Sequence, residues 1–455
     1  MLALIYLAAF VVHALSLGTL KDAPVEEGIC DASVKSYSGY FQVSSGNDKN
    51  YFFWLFESRT SPSTDPLIIW LTGGPGCSSQ LALMSENGPC RVTADGQSTE
   101  NNPFSWNTNA NIMWIDQPAQ VGFSYGTKLI DNDNNEEEVA EDMYNFLQAF
   151  FVGHPEYIEN ALFVFGESYG GHYAPAISSR IFLGNKNKDG AYINLKGVGV
   201  GNGLTDTVVQ YQYYAEMAMN NSYGIKTVSE TVYQSMVDAI PKCTSLAAAC
   251  QRNASACVPA KDFCGRMETS PYYSTGLNPY DIRKECGSSS LCYDFTNIET
   301  YLNLPATRAA LNVSPKVQKW QSCNNAVNAL FASDWMKNYQ QVFTPMLEDG
   351  IRVLIYAGDV DFICNWIGNK AWTLQLPWTG KRDFNSEADH QWMYQADESS
   401  PAATVGGLVR TASARSGGGS LTFLQVFEAG HMVPMDQPAA ALAMLNTFTS
   451  NKGFY

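Results

Sequence analysis

The chain has 455 residues, 45% of them hydrophobic and only 16% charged, which is enough apolar material for a large core and argues against disorder. Its formal net charge of −16 is relieved by no local Lys/Arg cluster, so phosphate backbones and anionic lipid heads are disfavoured partners and nucleic acid is not expected. The length allows two or three domains, or one large elaborated one.

Residues Leu2 to Ala14 form an apolar run ending in small residues around Ala14 to Gly18. This is the size of a secretory signal core and short for a membrane span, so residues 1–18 are expected to be cleaved. The run lacks a preceding Lys or Arg, which keeps an uncleaved anchor as the alternative. No later segment is long and apolar enough to span a bilayer. In a chain entering the secretory route, the eleven Cys residues should mostly pair, and the odd count leaves one thiol over. The expected destination is a lysosome or vacuole, or the exterior.

Further along, short apolar runs end abruptly in Gly or a polar residue, as parallel strands of a covered sheet do before a loop. They are Leu67 to Leu71, Ile112 to Ile115, Leu162 to Phe165, Val353 to Tyr356 and Leu421 to Phe427. Ligand chemistry collects at such C-terminal strand edges. Glu136 to Phe151 has acidic residues in its first turn and apolar residues at helical spacing, which predicts a helix lying on the sheet. From about 207 to 335 the texture changes to seven Cys with many Tyr and Asn, and this segment reads as an insertion. Its Cys spacing lacks the close pairs of zinc modules, so disulfides are expected and no metal. Asn220, Asn253 and Asn312 head glycosylation acceptor triplets, the last of them directly before Pro315. Ser416 to Ser420 reads as a Gly-rich surface turn before the last strand.

The chemistry concentrates at Gly166-Glu167-Ser168-Tyr169-Gly170, a G-x-S-x-G pattern between an apolar run and a helix-like stretch ending near Ile181. In that setting the glycines permit a close turn that lifts Ser168 Oγ above the sheet edge, over a helix N-terminus. A Ser hydroxyl is a weak nucleophile and needs a base, usually His, oriented by a carboxylate. Of the five His, His13 lies in the signal, His154 in a helix-end turn, His172 in the helix following Ser168, and His390 in a polar stretch. His431 follows a strand, on the same expected edge as Ser168. The acid should lie between them in sequence, and both Asp359 and Asp361 qualify by spacing. Thr72-Gly73-Gly74-Pro75-Gly76 has the form of a Gly-rich loop whose free backbone N–H groups could face a developing oxyanion.

Together with Phe52 to Arg59, Asp116-Gln117-Pro118, Val121 to Tyr125, Gly201 to Asp206 and Tyr356 to Asn365, these motifs resemble the serine carboxypeptidase family from about Tyr37 to the C-terminus. The resemblance implies an α/β-hydrolase fold: a central, mostly parallel sheet at 19–455, with a disulfide-rich cap insertion at about 207–335. It implies hydrolysis of the C-terminal peptide bond of peptides and proteins through Ser168, Asp361 and His431, with acidic pH and hydrophobic residues preferred and no cofactor. It assigns the oxyanion N–H groups to Gly74 and Tyr169. Binding of the substrate carboxylate falls to Thr72, Gly73 and the proton-sharing pair Glu86 and Glu167. Tyr211, Tyr214, Trp335 and Ile363 would line the site before the scissile bond, and Tyr280, Tyr293 and Met432 the leaving-residue site. The implied disulfides are Cys77–Cys323, Cys243–Cys264, Cys250–Cys257 and Cys286–Cys292. Cys364 would then be a free, mercurial-sensitive thiol near the pocket, and Cys30 and Cys90 are left to pair with each other. Thr72 departs from the family's Asn before Gly-Gly-Pro-Gly, exchanging an amide for one hydroxyl. An acyltransferase or esterase on the same triad is the alternative, because an acyl-enzyme can be intercepted by an alcohol as well as by water.

Overall fold

The computed structural model describes residues 18–25, 29–43, 48–127, 133–289, 291–395, 402–415 and 417–455. The expected signal lies outside the described residues apart from Gly18, as does Ser416 of the Gly-rich turn. The chain divides into two units, one of residues 1–165, 176–197 and 295–330, the other of residues 166–175, 198–294 and 331–455. Both carry strands of a large mixed sheet.

In the first unit the strands are β1 (Thr19–Pro24), β2 (Ser36–Gln42), β3 (Asn50–Phe56), β4 (Leu67–Thr72), the short β5 (Cys90–Val92) and β6 (Thr99–Asn101), β7 (Asn111–Asp116) and β8 (Leu162–Glu167). Their order is β1-β2-β3-β7-β4-β8, with β5 and β6 forming a separate hairpin. β1, β2, β3 and β7 pair antiparallel in sequence, whereas β4 and β7 are parallel. Every residue of β3, β4 and β7 is buried, so these strands are covered on both faces and need continuous rather than alternating hydrophobicity.

Helix α1 (Glu136–Gly153) supplies one of those covers. Asn135 caps it by accepting from the Glu138 N–H, and Glu136, Glu137 and Glu138 place negative charge against the positive end of its dipole. Phe146 meets Phe41 of β2 and Phe53 of β3 at ring separations of 5.5 and 5.6 Å, and Phe150 meets Phe53 at 6.1 Å. Edge-to-face pairs of this kind each contribute about 0.5–1.5 kcal/mol beyond the burial itself. Cys30–Cys90 and Cys77–Cys323 are bonded, the second joining the loop after β4 to residues 295–330.

Helix α2 (Gly170–Asn187) extends well past Ile181, where the sequence reading ended it. Its last turn is held by the Asn185 side chain, which donates to the Ile193 carbonyl at 2.7 Å and accepts from the Ile193 N–H at 2.9 Å. Gly184 is needed there because a Cβ would lie 2.7 Å from the Tyr144 ring of α1.

In the second unit β9 (Leu195–Gly201), β10 (Arg352–Gly358), β11 (His390–Tyr394), β12 (Thr404–Ser413) and β13 (Ser420–Val426) run in the order β9-β10-β13-β12-β11. β10 and β13 are parallel, and the last two pairings are antiparallel. Helices α3 (Glu230–Cys250) and α4 (Cys257–Cys264) are joined to each other by Cys243–Cys264 and Cys250–Cys257, and Cys286–Cys292 closes a short loop. Helix α5 (Trp366–Gln375) starts at Asn365, whose side chain accepts from the Gly368 N–H, and α6 (Pro438–Thr449) ends the fold. Among the described residues no helix is long and apolar enough to cross a membrane.

Candidate active site

Ser168 stands between β8 and α2 with φ of +63°, a left-handed conformation that costs a non-glycine residue about 1–3 kcal/mol and is tolerated only where neighbours over-determine it. Here they do. Its N–H donates to the Gly201 carbonyl at 3.1 Å, and its carbonyl accepts from the N–H groups of Gly171 and Leu204 at 2.9 Å each. The turn is so tight that a Cβ on Gly166 would sit 2.3 Å from the Gly170 carbonyl oxygen, and one on Gly171 would sit 2.6 Å from that of Leu204. This is the physical need behind Gly166, before Glu167-Ser168-Tyr169, and Gly171, two residues after Tyr169.

Tyr169 is fixed through its side chain. Its hydroxyl donates to Asp334 Oδ2 at 2.7 Å, Tyr339 donates to Asp334 Oδ1 at 2.8 Å, and its ring stacks on His172 at 4.3 Å. His172 is fully buried with Nδ1 2.6 Å from the Leu204 carbonyl, so that nitrogen carries the proton. Burial shifts the imidazole down from its usual range.

His431 follows β13 and is 5% exposed. Its Nδ1 lies 2.8 Å from Asp361 Oδ2, which places the proton on Nδ1 and leaves Nε2 as the acceptor. Asp361, wholly buried after β10, also accepts from Asn202 Nδ2 at 2.8 Å and from the N–H groups of Ile363 and Cys364 at 3.2 Å each. Asp359 faces elsewhere: it accepts from the Tyr223 hydroxyl at 2.9 Å and the Glu428 N–H at 3.0 Å, and burial pushes its carboxyl up to about 6. Asn202 ties the arrangement together. Its own N–H donates to the Tyr356 carbonyl and its Oδ1 accepts from the Gly358 N–H, while its neighbour Gly201 holds Ser168. The ends of β9 and β10 are thereby locked to the Ser168 turn, and the acid of the Asp361–His431 pair hangs from the same residue.

The expected pocket residues of the second unit lie around these groups. Trp335 Nε1 donates to the Tyr211 hydroxyl at 3.0 Å and its ring lies 5.6 Å from that of Tyr169. Tyr214 stands 5.0 Å from Tyr211 and donates to the Ile363 carbonyl at 2.7 Å. Tyr280 is 5.0 Å from the His431 ring and 5.9 Å from Tyr293, and Met432 is buried beside His431 in sequence. Cys364 is the free cysteine among the described residues; burial, with the Asp361 and Glu167 charges, pushes its thiol well up, so it stays protonated. Glu167 is 3% exposed.

In the first unit, Gly74 has φ of +110°, and a Cβ there would lie 2.8 Å from the Cys77 nitrogen. The Gly73 carbonyl accepts from the Cys77 N–H at 3.1 Å. The Thr72 hydroxyl accepts from Trp70 Nε1 at 3.0 Å, and the Thr72 N–H donates to Ser79 Oγ at 3.1 Å. Glu86, 2% exposed, sits in a π-turn at Leu83–Asn87. The remaining described His are committed elsewhere: His154 lies 2.8 Å from Asp22, and His390 lies 2.6 Å from Glu387. Asn220, Asn253 and Asn312 are all exposed.

The family described as serine carboxypeptidase matches residues 26–451 of this chain. The chain belongs to that family. It is 41% identical to serine carboxypeptidase 3 of Hordeum vulgare over 428 residues, covering 94% of this chain and 80% of the relative. It is 42% identical to carboxypeptidase Y of Candida albicans over 436 residues, 95% of this chain and 76% of that one. Among solved structures, the prohormone-processing carboxypeptidase Kex1 of Saccharomyces cerevisiae superimposes with a TM-score of 0.83 at 26% identity, covering 94% of this chain and 95% of that one. The protein is thus a serine carboxypeptidase with an α/β-hydrolase fold, acting on peptides and proteins.

Two residues bonded to these groups, Asn202 to Asp361 and Asp334 to Tyr169, had no role in the sequence reading. A clue for Asn202 is present in the chain, since an Asn between Gly201 and Gly203 suits a polar residue at positive φ, and its φ is +40°. Asp334 offers no such clue, because its partners Tyr169 and Tyr339 lie 165 and 5 residues away.

Proposed function

We propose that this serine carboxypeptidase releases C-terminal residues by an acyl-enzyme route, with Ser168 as nucleophile, His431 as base and Asp361 as the orienting acid. The observation that carries the reading is the Nδ1 to Oδ2 contact of 2.8 Å between His431 and Asp361, which leaves Nε2 free to accept a proton. Ser168 gives that proton to Nε2 as its Oγ bonds to the scissile carbonyl carbon. The N–H groups of Tyr169 and, by family resemblance, Gly74 stabilise the oxyanion. The C–N bond then breaks, the leaving amine takes the proton from His431, and water repeats the sequence to free the acyl group. Resemblance also assigns Thr72, Gly73, Glu86 and Glu167 to the substrate carboxylate. Two carboxylates sharing a site hold one proton in acid, and a protonated carboxyl can donate to a peptide carboxylate that an ionised one would repel. Peptidase activity accordingly favours acidic pH, and the aromatic leaving-residue site of Tyr280, Tyr293 and Met432 favours hydrophobic C-terminal residues. The 19–455 domain with its 207–335 cap, the signal at 1–18, glycosylation at Asn220, Asn253 and Asn312, and delivery to a lysosome, vacuole or the exterior belong to the same reading.

The test is release of the terminal amino acid from an N-blocked hydrophobic dipeptide by wild type and Ser168→Ala between pH 4 and 8, beside the same peptide amidated. Serine-dependent release of the free acid, strongest in acid, is the expected result. Equal or better cleavage of the amide would overturn the carboxylate assignment.

A further inference from the structure

Glu268 lies in the π-turn Gly265–Thr269 that follows α4. It has no accessible surface, and neither carboxyl oxygen has a hydrogen-bond partner among the described residues. Buried carboxyls are ordinarily paired or hydrogen-bonded, because an unsatisfied one loses its hydration without return. Burial alone raises this one to about 8.

Its surroundings border the reacting groups. The Glu268 charge acts on the Tyr211 phenol, whose oxygen accepts from Trp335, and the Trp335 ring lies against Tyr169, next in sequence to Ser168. One turn further, Tyr272 stacks on Phe362 at 3.8 Å, beside Asp361, and the Tyr273 phenol lies within electrostatic reach of Tyr280, Tyr211, Cys364 and Asp361. The 268–273 segment therefore runs beside Tyr211 and Trp335, the residues to which family resemblance gives the acyl half of the substrate.

Among the described residues no cation answers Glu268. On the elements packed against its turn, Lys242 lies over the Phe263 ring at 4.4 Å, Lys261 over Trp335 at 5.1 Å, and Arg266 over Phe263 at 5.9 Å. The acidic groups on those elements are Glu216, Glu230, Asp238 and Asp262, with Tyr214, Tyr233, Tyr272 and Tyr273 as the phenols. Burial is the cause of the Glu268 shift, with no charge set against it.

Building on the carboxypeptidase reading, we propose that Glu268 is a specificity-determining residue that receives a cationic side chain, lysine or arginine, at the substrate residue preceding the scissile bond. The substrate's ammonium or guanidinium supplies the hydrogen-bond donors that the fold withholds. When such a side chain binds, Glu268 gives up its proton to solvent, so recognition of the cation strengthens as pH rises, up to the range where the free carboxyl ionises.

The experiment compares N-blocked lysine and norleucine ethyl esters, which share a four-carbon side chain, differ by the terminal ammonium and carry no free carboxylate. The ratio of their kcat/KM values cancels the titration of the catalytic groups. In wild type the lysine to norleucine ratio should rise at least ten-fold from pH 5 to pH 8. In Glu268→Gln it should fall at least ten-fold at pH 8 and lose its pH dependence. A wild-type ratio that is flat with pH, or a change under two-fold on substitution, overturns the proposal. Failure of Ser168-dependent hydrolysis of both esters would instead overturn the reading beneath it, and the proposal with it.

Discussion

Asn202→Asp is a near-isosteric change with a large electrostatic consequence. The new carboxylate keeps the acceptor used by the Gly358 N–H and tolerates the positive φ of +40°, but it replaces the amide that donates to Asp361 at 2.8 Å with an oxygen. Two unit charges about 2.8 Å apart repel by about 6 kcal/mol at an effective dielectric of about 20. That corresponds to a displacement of about 4 pK units in the second ionisation, placing it near pH 8 when added to an ordinary Asp value of about 3.9. Below that pH the pair holds one proton, which lets residue 202 donate to Asp361 much as the amide did. The expected profile on an ester substrate is activity within several-fold of wild type at pH 5 and a new descending limb near pH 8. The sign for stability is the same. The folded pair binds a proton that the unfolded chain releases above about pH 4, so the variant loses stability relative to wild type as pH rises from about 4 to about 8. Asn202→Ala, by contrast, should lose activity at every pH, because it removes a donor to a charged group worth about 1.5–3 kcal/mol and strands the Gly358 N–H. Wild-type ester activity of Asn202→Asp at pH 8.5, or its inactivity at pH 5, would refute the reasoning.

Burial lowers the His154 imidazole, but the hydrogen bonds and charges of Asp22 and Glu156 outweigh it and the net shift is upward. The pair therefore stabilises the fold fully below the unfolded value of about 6.5 and less as pH rises through the folded value. Asp22→Asn should cost about 1.5–3 kcal/mol at pH 5 and less at pH 8, read from denaturant unfolding at the two pH values. Thr72→Asn should lower KM for free-carboxylate peptides and leave KM for the matching amides unmoved, since an amide restores a donor and an acceptor where Thr72 offers one hydroxyl already accepting from Trp70; steady-state kinetics on the paired substrates would show it. Gly166→Ala forces a Cβ to within 2.3 Å of the Gly170 carbonyl and should reduce kcat at least 100-fold by displacing Ser168, measured as active-site titre and turnover on the folded variant.

The central strands were legible in the sequence because burial on both faces demands unbroken apolar runs, as in β4, β7, β8, β10 and β13. β9 was not. Four of its seven residues are not strand formers of any strength, Lys196 and three glycines, and Gly201 must lack a side chain because a Cβ there would meet the Tyr356 ring at 2.3 Å. Close approach of a ring to the backbone erased the propensity signal at the strand that holds the site together. β12 mixes paired glycines with polar residues for a related reason, since a Cβ on Gly407 would lie 1.9 Å from the Gln425 carbonyl oxygen. At the site, residue type and chain order lead to Ser168 and His431, but spacing cannot separate Asp359 from Asp361. What separates them is direction in space: one faces Tyr223 and the other His431. Glu268 was invisible for a similar reason, because an acidic residue in a polar-looking turn gives no sign that the turn will be buried.

The two bridges between α3 and α4 are nested, Cys250–Cys257 inside Cys243–Cys264. The link between those helices passes through Arg252, Asn253, Ala254 and Ser255, all exposed, so a chain with no glycan on Asn253 presents this segment to endoproteases. A cut there divides the polypeptide in two, yet the inner bridge holds the new ends together and the outer bridge fixes the helices on either side. A molecule nicked at this point would remain one covalent particle, with the turn that carries Glu268 still hung from Cys264, and the cleavage would become visible only after reduction. In a compartment rich in other proteases, such a molecule outlives its own main chain.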